Sequence, residues 1–533
     1  MTQFDYVIVG AGSAGCVLAN RLSADPAVSV LLVEAGDQDT NPLIAMPRGF
    51  GQLLGDPDTA WFYPTRPFGP AQQPDYWVRG KVLGGSSAVN GLVYNRGQRA
   101  DYDALEALGN PGWGWDDMLP VFKTIEDNSL GASEVRGAGG PVHVSTPEGG
   151  DPLLEDVLTA GTELGWRRMR DLNESDEERI GYAMATIRDG QRVSAAGAFL
   201  HPVLDRPNLT VAVQTTVDRI LVDGGRAVGV RGRQDGQAIE AQATREVILA
   251  TGALATPKLM QLSGIGPAEV LRAAGVDVLV DSPNVGGRML EHRVFSLQFR
   301  LAEDIGYNKI LATEEGQAAA AAEYQATGGG PLAAPSFDLV GFFKSRPELD
   351  RPDTQIQIAP FSMAPAEPGQ PMQVEREPGI WCIGYILRPD SVGGVRITST
   401  DPDGMLDIDA NFFGTEHDRG TAVDIFRGMR RLFATGPLAK RIEHETAPGP
   451  AVQTDQEILD AGLTNGLCGF HAVGTCAMGP NDDDVVDSQL RVRGVRNLRV
   501  VDASVLPTMI SGNLNGPVMA LGWRAADFIL GGA

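Results

Sequence analysis

Apolar positions along this chain recur with two different periods. Tyr6-Val7-Ile8-Val9 is an apolar run that meets a glycine turn, which predicts a strand. Residues 14–22 continue as a helix, and Val28-Ser29-Val30-Leu31-Leu32-Val33-Glu34 predicts a second strand, so the chain opens on a βαβ unit. From Asn41 to about Asp75, Gly, Pro, Asp and aromatics dominate without a clear period, which predicts a long surface excursion. Strand signals return after Asn208, with a turn at Asp223-Gly224-Gly225. They end in Glu246-Val247-Ile248-Leu249-Ala250, whose unbroken apolar character suits a central parallel strand. Residues 301–448 differ in texture. They carry an Ala-rich helical piece (Gln317 to Tyr324), a Gly-Gly-Gly-Pro break and the alternating segment Thr354-Gln355-Ile356-Gln357-Ile358, a pattern that predicts an antiparallel sheet. Short strands follow from about Gly466, and Val518 to Leu530 reads as a closing helix.

With 533 residues the chain exceeds one ordinary core, so two domains or one large interrupted domain are expected. Its 44 basic and 68 acidic residues give a net charge of −24, which argues against nucleic acid and anionic lipid as partners. Cys16, Cys382, Cys468 and Cys476 form no C-x-x-C pair. That usage suits free thiols in a reducing compartment and lacks the ligand spacing of zinc sites, so no metal is expected. The N-terminus has no basic region followed by an apolar stretch, and no run of 18 apolar residues occurs. The expectation is a cytoplasmic protein without a membrane span.

The first chemical motif is Gly10-Ala11-Gly12-Ser13-Ala14-Gly15. A G-x-G-x-x-G pattern is weak alone, but this one follows a strand, opens a helix and is followed by Glu34 at the end of the next strand. The glycines allow a tight turn and close approach to a pyrophosphate, and the helix N-terminus supplies free N–H groups. Glu34 would bond the adenosine ribose and disfavour a 2′-phosphate. This motif does not separate FAD from NAD. The second motif does: residues 80–97, GKVLGGSSAVNGLVYNRG, provide a flat Gly-rich backbone suited to a planar ring.

These stretches resemble the glucose-methanol-choline (GMC) flavoprotein oxidoreductases over nearly the whole chain. Residues 80–97 match the first family signature, and Gly252 to Gly266 (GALATPKLMQLSGIG) match the second. Asn284 to His292 is similar to the family's NVGxxLxDH segment, with Glu291 where Asp is usual, and Asn497 to Arg524 is similar to the closing segment. The resemblance implies an α/β fold: a Rossmann-like FAD/NAD(P)-binding domain (1–155, 205–300, 461–533) interleaved with an antiparallel-sheet α+β substrate domain (156–204, 301–460). It also implies noncovalent FAD, because the position of the linking histidine in some members is Val89 here. By the same resemblance Val217 would contact adenine, Asp502 and Ala503 the ribityl chain, and Gly85, Asn90, Gly91 and Val93 the flavin. Asn515 and Pro517, at the start of the last helix, would face its pyrimidine; Pro517 suits the first helical position.

His471 stands in GFHAVGTCAMG, residues 469–479. From sequence it reads as a packed core histidine, a metal ligand or a proton-transfer group. The resemblance implies the third, a base for an alcohol hydroxyl, since an imidazole accepts a proton at neutral pH. Asn513 occupies the companion position, where an amide holds the substrate oxygen but takes no proton; its competing reading is a turn residue beside Gly512. His292 reads as structural. The expected activity is oxidation of an alcohol to an aldehyde or ketone, with oxygen or a quinone-like compound as acceptor; the alternative is a cyanohydrin-type lyase with redox-silent FAD. Phe337, Phe342, Phe343, Phe361 and Phe470 suggest an apolar or aromatic alcohol, and Asp338 offers a carboxylate for a cationic substrate.

Overall fold

The structure is a computed structural model that describes residues 2–147, 149–365 and 373–531. A seven-stranded sheet forms around the strand Thr2–Val9, which pairs in parallel with Val30–Val33 on one side and Gln237–Leu249 on the other. Leu209–Ala212 extends the sheet beyond Val30–Val33, and Leu498–Val500 pairs in parallel with Val247 to Leu249. All four residues of Val30–Val33 are buried, because helices cover both faces of this parallel core. The antiparallel strands Arg226–Gln234 and Thr215–Asp223 complete the layer.

A second, eight-stranded sheet lies over it. Its central order is Ile442–Ala447, Arg293–Leu301, Gly379–Ile386, Thr354–Ala359, Leu339–Phe343 and Arg179–Tyr182, each pair antiparallel. Residues 293–300, expected with the first layer, therefore run in this second sheet, where Phe295 sits opposite Gly384. One face packs Ile356, Ile358, Cys382 and Leu297 into a core under the helix Glu416–Phe433. The other face turns Val340, Ala359, Trp381, Ile383 and Tyr385 toward the first layer. Gln355 and Gln357 share that face, opposite Tyr385 and Ile383, and both are fully buried. Thr354–Ala359 alternates as expected, yet its polar positions are enclosed as completely as its apolar ones.

Two expectations need correction. The excursion after Asn41 forms the short helices Pro42–Ala45 and Phe50–Leu53 and the hairpin Ala60–Pro64 with Tyr76–Gly80. It is docked rather than loose: Ile44 and Leu53 are buried against Val82, Ala88 and Val89. The last helix begins at Asn515, so Pro517 is its third residue, not its first. Proline is tolerated there because the first four helical N–H groups have no partner within the helix.

Candidate active site

The N-terminus of the helix Ser13–Leu22 is left open. Gly12 caps it without a side chain, and no acidic residue stands in its first turn. Gly10 has φ +99°, and a Cβ there would lie 2.5 Å from the Ala250 carbonyl oxygen; one on Gly15 would lie 1.9 Å from the Gly10 oxygen. The turn therefore closes only with glycine. Ala14 is buried beside Gly522 of the last helix. Glu34, buried at the end of its strand, accepts the N–H of Ala11 (2.9 Å) and of Gly36 (2.8 Å), which fixes its carboxylate beside the glycine turn. Val217 lies two residues beyond Thr215, whose N–H donates to the Glu34 carbonyl, so the two sit at one rim.

The second glycine loop lies against the first. The Gly84 N–H donates to the Ala11 carbonyl (2.8 Å), and a Cβ on Gly85 would lie 2.7 Å from the Gly12 Cα. Asn90 accepts the Leu92 N–H at 3.0 Å; Gly91 accepts from Ser336, and Val93 bridges to Ala185. Beneath this loop Arg192 donates to the carbonyls of Ile44, Ser87 and Asn90 and to Asn90 Oδ1. Burial alone lowers its pKa to about 9, and its Nη2 is enclosed without a partner. The start of the last helix meets the first one: Ser13 Oγ donates to Asn515 Oδ1 at 2.8 Å. That helix also has no acidic residue in its first turn. Two open helix N-termini, two abutting glycine loops and an enclosed N–H donor suit a group with a diphosphate and a planar, acceptor-rich ring. Asp502 behaves differently. Its carboxylate accepts from Gly252 N, Thr256 Oγ and Ser504 N, so its side chain is spent on two helix starts.

Between this cradle and the second sheet stand His471 and Asn513, 3.3 Å apart from Nε2 to Nδ2. Both are half-buried. The residues before His471 take a tight path: Phe470 has φ +61°, and a Cβ on Gly469 would lie 2.7 Å from the Cβ of His292. Glu291 Oε1 accepts the N–H of both His471 (2.7 Å) and His292 (2.8 Å), with Arg79 at 3.4 Å from its other oxygen. His471 Nδ1 lies 2.9 Å from His292 Nδ1, and His292 Nε2 lies 3.1 Å from the Leu387 carbonyl. Burial, then His292 and Arg79, hold the His471 pKa well below its usual value, so the ring is neutral and able to accept a proton. Asn513 Oδ1 receives Nδ2 of Asn95 (2.8 Å), Nε2 of Gln355 (3.0 Å) and Nε2 of Gln357 (3.3 Å). The left-handed turn falls on Gly512 (φ +106°), which frees Asn513 from the turn role.

The structure thus brings the two catalytic candidates together, and it sets the two glycine loops and the starts of the first and last helices against one another. Asp338 is placed elsewhere. Its carboxylate is buried 2.5 Å from Arg48 Nη2, and Arg48 lies between the rings of Tyr307 and Phe361. Among the five phenylalanines, Phe337 and Phe361 cluster on Trp381, whereas Phe343 stacks on Trp166 in the opposite core and Phe470 is exposed. Sequence reasoning missed Asn95, Arg192, Gln355 and Gln357. The one available signal was the repeated Gln at a strand period of two, on a face that proved buried. Among the described residues, Asp390, His417 and Asp418 bring possible metal-ligating atoms within 4.8 Å of one another. Asp418, however, accepts the N–H groups of Asp390 and Ser391, which ties the helix Glu416–Phe433 to that loop.

Known proteins resemble this chain along nearly its whole length. The sequence profiles of the GMC oxidoreductases match residues 4–294 and 389–522. An alcohol dehydrogenase [acceptor] from Pseudomonas putida is 37% identical over 99% of this chain and 96% of its own length. The mitochondrial choline dehydrogenase of Mus musculus is 37% identical over 99% of this chain and 90% of its own. Among solved structures, an FAD-dependent oxidoreductase from Chaetomium thermophilum superposes with a TM-score of 0.89 at 26% identity, covering 99% of each chain.

Proposed function

The chain belongs to the GMC oxidoreductases, and from that premise we propose that it oxidises a neutral alcohol to the aldehyde or ketone with His471 as the base and Asn513 as the substrate anchor. It is an FAD-binding oxidoreductase acting on CH–OH donors. FAD, when bound, supplies the two-electron acceptor that takes hydride from the carbinol carbon. Gly10, Gly12, Ser13, Ala14, Gly15 and Glu34 would hold its adenosine diphosphate, and the backbone of Gly85, Asn90, Gly91 and Val93 its ring system. Val217 would lie along the adenine, Ala503 beside the ribityl chain. The open helix start at Asn515 to Pro517 would favour negative charge on the ring.

The observation that carries the reading is the 3.3 Å pairing of His471 Nε2 with an amide nitrogen that three other amides orient. An alcohol oxygen placed between them receives the Asn513 N–H and gives its own proton to His471 Nε2. The hydroxyl proton then resides on His471, the hydride leaves from carbon, and a carbonyl remains. Arg48 engages Asp338, so the carboxylate that could have met a quaternary ammonium already has its counter-charge. Together with the Phe337–Phe361–Trp381 cluster on the same sheet face, this supports an apolar or aromatic alcohol over choline. Helices long and apolar enough to cross a membrane are absent among the described residues.

The test is anaerobic mixing with benzylic, aliphatic, polyol and choline substrates while the flavin band is followed. Bleaching by a neutral alcohol, slowed roughly 10²–10⁴-fold in His471→Ala at unchanged FAD content, is the expected result. A variant within tenfold of the parent overturns the assignment of the base. Admitting oxygen or a quinone to the reduced protein identifies the acceptor.

A further inference from the structure

Neutral histidine is useful as a base only on the nitrogen that lacks hydrogen, so which tautomer His471 adopts decides whether its Nε2 can work. Two chains of hydrogen bonds converge on that atom from opposite sides. One starts at the Leu387 carbonyl, an obligate acceptor 3.1 Å from His292 Nε2, which must therefore carry the hydrogen. His292 is fully enclosed, and burial lowers its pKa to about 4, so it is neutral and its Nδ1 is an acceptor. His471 Nδ1, 2.9 Å away, must then be the donor. The remaining nitrogen of His471, Nε2, is left with its lone pair. The other chain starts at the three amides that donate to Asn513 Oδ1. They turn the N–H₂ of Asn513 toward His471 Nε2, where it donates to the same lone pair.

We propose that His292 is a positioning residue that locks His471 in the Nδ1–H tautomer and so presents Nε2 as the base. The proposal rests on the assignment of His471 as base made above. The scaffold is built for the contact. Leu290 and Val473 exchange backbone hydrogen bonds of 3.1 and 3.0 Å, holding the two segments side by side. Glu291 clamps both histidine N–H groups, and Gly469 leaves room for the rings, which meet edge to face at 5.1 Å. The Tyr385 ring packs against His292 at 4.6 Å. The groups facing the pair are Glu291, Arg79, Cys468 and Tyr385. Only Arg79 among them is cationic, and its charge lies beside the Glu291 carboxylate.

The experiment uses the FAD-bound protein labelled with ¹⁵N at its six histidines. Nitrogen shifts separate protonated from lone-pair nitrogens, and His471→Ala identifies the resonance. The expected spectrum shows His471 hydrogen on Nδ1. His292→Leu keeps the volume and removes the acceptor; its flavin reduction should fall on the order of 10²-fold, less than the ~10⁴-fold cost of a base held in the wrong tautomer. Substrate affinity should change little, and the Nε2-protonated form should appear. His292→Asn, whose Oδ1 replaces Nδ1 as acceptor, should recover most of the rate. Parent protein with His471 hydrogen on Nε2, or a folded His292→Leu with the parental rate, overturns the proposal. If His292→Leu does not fold, the parental spectrum decides alone. Unimpaired flavin reduction in His471→Ala would instead defeat the base assignment, and the tautomer reading would still be tested by the spectrum.

Discussion

Replacing Asn513 with Asp changes one atom and one charge at the centre of the site. The three amides that now donate to Asn513 Oδ1 would donate to a carboxylate, which stabilises its ionised form. Its second oxygen would face His471 Nε2 at the 3.3 Å that Nδ2 now occupies. At that distance an imidazolium and a carboxylate attract by about 5 kcal/mol at an effective dielectric of about 20, or about 3.7 pKa units. Both side chains are half-buried, so solvent screening reduces the shift to about 2 units. His471, held neutral in the parent by burial, His292 and Arg79, would bind its proton more tightly by that amount. A base must be unprotonated to act, so reduction of the flavin should slow as pH falls through the raised value. The assay is stopped-flow anaerobic reduction across the pH range in which the protein stays folded. The variant's acid limb should lie about 2 units above the parent's, and the apparent value belongs to the Asp–His pair rather than to either residue. Asn513→Leu is the control: it loses about tenfold from the missing hydrogen bond, with no displaced limb. A folded, FAD-replete Asn513→Asp whose acid limb coincides with the parent's would refute the reasoning, because it would mean that residue 513 does not face the base.

Two further predictions concern the scaffold. Arg192→Met should abandon the carbonyls of Ile44, Ser87 and Asn90, at about 1–3 kcal/mol for each acceptor left buried; flavin-to-protein absorbance on purification and thermal midpoint should both fall, and unchanged FAD content would separate Arg192 from the cofactor loop. Asp127, held at a pKa of about 2 by the hydrogen bond from His143, the Gly139 N–H and Arg188, stabilises the fold fully above its ordinary value of 3.8 and loses that contribution as pH falls toward 2; Asp127→Asn should flatten the dependence of urea stability on pH in that window, and a slope equal to the parent's would contradict it.

Contiguous features were legible before any coordinates. The G-x-G-x-x-G turn, the strand before it and Glu34 after it are set by local backbone demands. A turn in which a Cβ on Gly15 would strike the Gly10 oxygen admits one residue type wherever it stands. The open start of Ser13–Leu22 follows from the same short segment, as do the apolar parallel strands. Tertiary structure decided the rest. His292 and His471 are 179 positions apart, and their contact depends on the pairing of Leu290 with Val473. Gln355 and Gln357 looked like the outer face of an alternating strand. They are buried because the second sheet lies face down on the cofactor layer. Asp338 reads as a free carboxylate until Arg48, 290 positions earlier, closes on it. Periodicity reports only that an element has two faces; what each face meets is set by sheet register and layer docking, which depend on the whole chain at once.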